Sequence, residues 1–216
     1  MSNLGQNGAA GAAALSGAAS IGKAASVSVM EAIRTRRSIG RVKPDPVDKA
    51  VIEQLLEVAA WAPSHHNTQP WKFIVMTGEG RNRLGEGYAN VAVALEPGLE
   101  GEQLEERRRK ERTKAFRAPV VIAAVCSPSD DPRAVPAEEL AAAQAAVQNL
   151  LLAAHAHGLG AIWRSGEPMF HPRMKETFGL RADEDIVGFI YLGYPDMTPP
   201  EPRRVPAAEK TVWLTE

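Results

Sequence analysis

One cysteine, Cys126, is all that 216 residues contain. No intrachain disulfide can form and a Cys-rich zinc module is excluded. Within the apolar run PVVIAAVC the lone thiol reads as a small buried hydrophobe. Charge of one sign is lacking too. Lys and Arg number 25 against 26 Asp and Glu, a net charge of −1, which gives no global attraction to nucleic acid or an anionic membrane. No apolar run approaches the ~20 residues a membrane helix needs. The opening MSNLGQNGAAGAAALSGAASIGKAAS has no basic segment, and glycines interrupt its apolar stretches, so it is not expected to act as a signal peptide. With almost no charge and no aromatic residue, residues 1–27 are expected to form a disordered low-complexity tail. These absences favour a reducing, cytoplasmic location, without nucleic-acid or membrane partners.

What is present fits one domain over 28–216. Ser28 with Glu31 three residues on is a capping pattern for a short helix that ends in Arg34, Arg36 and Arg37. A second helix is expected from Asp45 as cap and Pro46 in its first turn, with Val51, Ile52, Leu55, Leu56 and Ala59 at helical spacing, until Pro63 bars continuation. KFIVM reads as a strand, and residues 81–100 as a short helix followed by a mobile connection. EQLEERRRKERTKAF reads as an exposed helix, and VVIAAV as a strand buried on both faces. The longest helix, over 138–157, is rich in Ala and Leu all round and belongs in the interior or at a subunit interface. Gly158 terminates it. A short helix over 172–178, the strand IVGFIYLGYP and an extended Pro-rich arm ending in Val212, Trp213 and Leu214 complete an α+β chain. An apolar end on such an arm suggests docking, onto another subunit for example.

The common catalytic signatures are missing. His65 and His66 are adjacent on a loop, and His155 and His157 lie two apart near a helix end, so neither pair shares a face for one metal ion. There is no G-x-S-x-G elbow, no Walker loop and no full G-x-G-x-x-G. Polar segments remain. RTRRS supplies arginines and a hydroxyl suited to a phosphate or polyol, or arginines that complement a helix end. WAPSHHNTQPW supplies donors and acceptors on a proline-stiffened backbone, as a binding wall or as a turn. AIWRSG combines an aromatic, an arginine, a hydroxyl and a glycine, at a site or at a plain strand end.

Five segments, RTRRSIGRV, AAWAPSHHNTQPWKFIV, FRAPVVIAAV, GLGAIWRSG and IVGFIYLGYP, in this order and spacing resemble the FMN-dependent nitroreductase family, in particular its short bacterial NAD(P)H nitroreductase branch. The resemblance runs from Ser28 to Trp213. It implies a nitroreductase-like fold, a central mainly antiparallel sheet flanked by helices, in an intertwined homodimer with FMN at the subunit interface. Carried over by motif, Arg36, Arg37 and Ser38 hold the FMN phosphate and ribityl end, and His65 contacts the cofactor. Trp163, Arg164 and Ser165 complete the cradle from the partner side. Ala153, Ala154, His155, Ala156, His157 and Gly158 align with the branch's nicotinamide-nucleotide region. The branch often has a basic residue four positions before the cradle histidine; Trp61 stands there, which removes a charge-assisted contact or narrows the pocket by stacking.

The implied chemistry belongs to the flavin. NADH or NADPH delivers hydride to flavin N5 and leaves, and a nitroaromatic, quinone or related electrophile is then reduced at the same face, a ping-pong cycle without a catalytic side chain. Other flavin chemistry on the same fold, flavin reduction or dehalogenation, stays open. So do a flavin-binding module without turnover and an interaction protein built on the charged helix.

Overall fold

A computed structural model describes residues 27–215, and most of the expected tail over 1–27 lies outside the described residues. Helix α1 (Val29–Thr35) opens on the expected cap, with the Ser28 hydroxyl accepting the Glu31 N–H at 3.2 Å. Helix α2 (Lys49–Ala59) starts later than the sequence suggests. Asp48 rather than Asp45 is its cap, accepting the Ala50 N–H at 2.9 Å, so Pro46 precedes the helix. Val47, between them, is buried and anchors the turn that leads in.

Four strands form one antiparallel sheet: β1 (Trp71–Thr77), β2 (Val120–Cys126), β3 (Gly160–Arg164) and β4 (Asp185–Gly193), in the order β1-β2-β4-β3. The unbroken apolar run of β2 is buried on both faces, as expected. Val120, Ile122 and Ala124 join one core with α2 and α5 (Pro136–Ala156); Val121, Ala123 and Val125 join the other, with α3 (Asn82–Leu95) and α7 (Pro172–Phe178). Cys126 is buried, and burial pushes its thiol up to about 11, so it is a packing residue.

The short helix and mobile connection expected over 81–100 are instead the 14-residue helix α3, with only residues 96–100 connecting it onward. Gly85 and Gly87, inside this helix, are contact points. A Cβ at Gly85 would stand 3.2 Å from the Arg112 carbonyl oxygen, and one at Gly87 2.5 Å from Met174 Sδ. Helix α4 (Gly101–Arg112) lies along α3, tied by Arg112 and Arg108 to Glu86 at 2.6 and 3.2 Å, and buries only Glu111. Short α6 (Glu167–Phe170) follows β3.

Strand β4 carries a bulge where it matters most. Ala124 faces Gly188 and Val125 faces Ile186, so Val187 is skipped. The Val187 carbonyl accepts the Trp163 indole N–H at 3.1 Å. The indole lies across Gly188, where a Cβ would stand 2.0 Å from Nε1. Gly188→Ala is therefore expected to displace the indole, cost about 1–3 kcal/mol and lower the thermal midpoint by a few degrees. Calorimetry and Trp fluorescence check this; an unchanged midpoint and spectrum would show that the indole is not held against β4.

Candidate functional site

Strand β3 is the spine of the site. Just after α1 the chain turns along it: Ser38 bridges Ala161 in parallel, and the Ile39 N–H reaches the Ala161 carbonyl at 3.0 Å. Two residues on, the Cβ position of Gly40 is 3.8 Å from Arg164 Nη2. The segments that carry Arg36, Arg37, Ser38 and Trp163, Arg164, Ser165 thus lie side by side within one copy of the chain. Placing 163–165 on the partner side is not needed, because the Ser38 bridge and β3 itself unite the two segments.

At one end, positive charge gathers. Arg36 is half-buried, and burial, with Arg204 and Arg37 beside it, lowers its guanidinium pKa. The Arg37 guanidinium faces carbonyl oxygens, of Arg34 and Arg36 at 2.7 and 2.8 Å and of Pro200 at 3.2 Å. His155 Nε2 lies 2.8 Å from the Thr35 hydroxyl, whose single proton goes to the Glu31 carbonyl at 2.7 Å. The histidine is therefore the donor, and Nε2 carries its proton. Burial, then Arg36 and Arg37, lower its pKa against the opposing effect of Glu31, so the ring stays neutral at pH 7. Like charges crowded at a half-buried site, with a neutral histidine behind them, suit a phosphate dianion.

At the other end β3 opens into a cavity of about 400 Å³ lined by Trp163, Arg164 and Ser165 together with Tyr88, Lys114 and Arg117. The Arg164 Nε is shielded from solvent and has no hydrogen-bond partner. The Tyr88 and Tyr191 hydroxyls meet at 3.3 Å, and burial raises both pKa values.

The loop between α2 and β1 lies elsewhere. His66, Asn67 and Gln69 hold left-handed φ values of 54°, 56° and 50°, unusual for residues with a Cβ and a sign of local strain. The His65 and His66 rings stack at 3.9 Å, and His65 Nδ1 lies 2.6 Å from Glu138 Oε2 in the first turn of α5. Trp61 is 81% exposed, beside a cavity it shares with Asn67, Gln69 and Trp71. His155 is at the opposite end of α5, so in one copy the helix holds the two groups roughly 25 Å apart. No single flavin mononucleotide spans that length.

Of the stretch aligned with a nicotinamide region, Ala153, Ala154, His155 and Ala156 form the last turn of α5, with Ala154 fully buried. His157 caps the helix and Gly158 follows at φ 72°. Among the described residues no three His, Cys, Asp or Glu gather where they could hold a metal ion, and no helix is long and apolar enough to cross a membrane. Sequence reasoning missed Arg204, Tyr88 and Arg117. They come from the arm, α3 and the turn before β2, and only the fold brings Arg204 beside Arg36 and the other two beside β3.

The Nitroreductase family profile matches residues 33–194. The Bacillus subtilis protein named "Putative NAD(P)H nitroreductase YfhC" is 33% identical over 83% of this chain and 91% of its own length. Among solved structures, the nitroreductase-like family protein from Bacillus cereus superposes with a TM-score of 0.74 at 31% identity, covering 87% of this chain and 96% of that one. A protein of Desulfovibrio desulfuricans described as a "putative nitroreductase in complex with FMN" superposes with a TM-score of 0.64 at 29% identity, again over 87% and 96%. The strand order, the arginine-rich turn beside β3 and this match over three quarters of the sequence agree, and the chain belongs to the nitroreductase family.

Proposed function

We propose that the chain is an FMN-dependent oxidoreductase that draws electrons from NADH or NADPH and reduces small electrophiles, nitroaromatics or quinones, in a ping-pong cycle. The observation that carries the reading is the half-buried pair Arg36 and Arg37, with the exposed Arg204 beside Arg36, on the segment that adjoins β3. The FMN-bound Desulfovibrio neighbour and the NAD(P)H in the name of the Bacillus subtilis relative support the same reading.

FMN, when bound, supplies two-electron chemistry between a nicotinamide and an acceptor that follow one another at one site. The chain's own residues bind and orient. Arg36 and Arg37 neutralise the phosphate, with Arg204 beside them, and the Ser38 hydroxyl adds a hydrogen bond. Trp163, Arg164 and Ser165, about 10 Å further along β3, border the ring end. No side chain need serve as general acid, because solvent supplies the proton. For a nitro acceptor the balance is R–NO₂ + NAD(P)H + H⁺ → R–NO + NAD(P)⁺ + H₂O.

A second copy completes the site. Helix α5 leaves Leu140, Ala141, Gln144 and Gln148 exposed along one side, and the arm ends in Val212, Trp213 and Leu214 at 83%, 82% and 91% exposure. Antiparallel pairing of α5 with its copy carries His65 and Trp61 of one chain toward Arg36 and Arg37 of the other. The turn of 153–158 lies beside this end and is the place for a nicotinamide nucleotide.

The purified protein is expected to be yellow or to take up added FMN, and to bleach anaerobically with NADH or NADPH. A colourless protein that takes up no FMN would refute the reading, and bound flavin that never bleaches would identify a binding module. Arg37→Ala is expected to weaken FMN binding at least about tenfold, read from the fluorescence of released flavin; unchanged retention would remove the arginines from the phosphate site.

A further inference from the structure

The cavity at the end of β3 is built for an anion of a particular shape. Its floor is apolar, with Met169 and Phe189 buried and Pro168 beside them, and its volume of about 400 Å³ suits a one-ring aromatic. Three cations line it: Lys114, Arg117 and Arg164. The acid that acts on this region is Glu111 of α4, and it is already engaged by Lys114 and, at 3.2 Å, by Arg107.

Arg117 and Arg164 have no such partner. Neither takes part in an ion pair among the described residues. Arg164 sits with its guanidinium carbon 5.5 Å from the centre of the Tyr191 ring, over an aromatic face and away from any carboxylate. Arg117 ends the 3₁₀ turn Thr113–Phe116, where the chain enters β2. Other arginines do have acid partners: Arg133 pairs with Asp131 at 2.7 Å and Arg181 with Asp183 at 3.0 Å. The two tyrosines add a donor. Their hydroxyls share one hydrogen bond, so when Tyr191 donates to Tyr88 the Tyr88 proton is free to point into the cavity.

We infer that this cavity receives the electron acceptor and that the acceptor is an aromatic carboxylate, its ring over Met169 and Phe189 and its carboxylate held by Arg117 and Arg164. Two guanidinium forks match a planar carboxylate in a way that a quinone or a neutral nitroarene cannot use. Trp163 and Ser165 line the same cavity, which places the acceptor's ring beside the residues that border the flavin. The inference rests on the flavin site proposed above.

The test uses the FMN-loaded protein. Calorimetry is expected to show benzoate binding about tenfold more tightly than benzamide, and kcat/KM for 4-nitrobenzoate is expected to exceed that for 4-nitrobenzamide by a similar factor. Arg117→Gln should bring both ratios to about one. Equal affinities in the unaltered protein overturn the inference. So does an Arg117→Gln protein that keeps the benzoate preference but shows a raised KM for NADPH, since the cavity would then hold the phosphate of the electron donor. The two readings fail separately. Flavin that bleaches with NADH while amide and carboxylate react alike leaves the enzyme and removes the carboxylate pocket. A benzoate preference that depends on Arg117, in a protein that never bleaches, leaves the pocket and removes the enzyme.

Discussion

The antiparallel pairing of β3 with β4 is the constraint on which the site depends. Five residues, Gly160 to Arg164, are held in register against Gly193 to Phe189. The first of them must be glycine, because a Cβ there would stand 2.7 Å from the Ile39 side chain and push the arginine-bearing segment away. The second, Ala161, anchors that segment through Ser38 and Ile39. The fourth, Trp163, is fixed by the bulge at Val187 and the missing side chain of Gly188. The fifth, Arg164, opens the cavity. A strand of this length thus sets the spacing between a phosphate end and a reactive end without contributing a catalytic group.

Charge distribution separates this region from the rest of the surface. Along α3 and α4, Arg108 and Arg112 share Glu86, and Glu111 is gripped by Arg107 and Lys114. On the other flank Glu184 is buried, where it accepts from Lys72, Ser127 and the Arg181 backbone. Beside β3 the pattern stops: Arg36, Arg37 and Arg204 crowd one another at one end, and Arg117 and Arg164 stand without acids at the other. A near-neutral chain that gathers several arginines without ion pairs along one strand is arranged there for anions brought from outside. The near-zero net charge hides this, since acids and bases elsewhere cancel.

The sequence foretold much of the architecture. Consecutive apolar residues in β2 and the capping pattern at Ser28 are local signals, and both hold in the fold. The start of α2 was misplaced because Asp45 followed by Pro46 has the pattern of a cap and first turn, whereas in the fold Val47 is buried ahead of the helix and Asp48 caps it. The length of α3 was not legible for a related reason. Propensity counts Gly85 and Gly87 as losses, whereas packing against Arg112 and Met174 requires them. Within the site, the motifs pointed to Arg36, Arg37 and Ser38 beside Trp163, Arg164 and Ser165. They could not show that the two segments lie side by side along β3 in one copy, or that His65 stands at the far end of α5. Nor does any local pattern mark Arg117 or Tyr88, whose proximity to β3 comes from long-range folding alone.

The most direct test of a site shared between two copies is FMN content in mixed dimers. Arg37→Ala and His65→Ala proteins, each poor in FMN alone, are co-expressed with different affinity tags, and the doubly tagged dimer is isolated. If Arg37 of one chain and His65 of the other face the same flavin, one of the two sites in the mixed dimer regains both residues, and one FMN per dimer returns. If both residues serve a flavin within their own chain, each site keeps one lesion and the mixed dimer stays as poor in FMN as its parents, which would contradict the account.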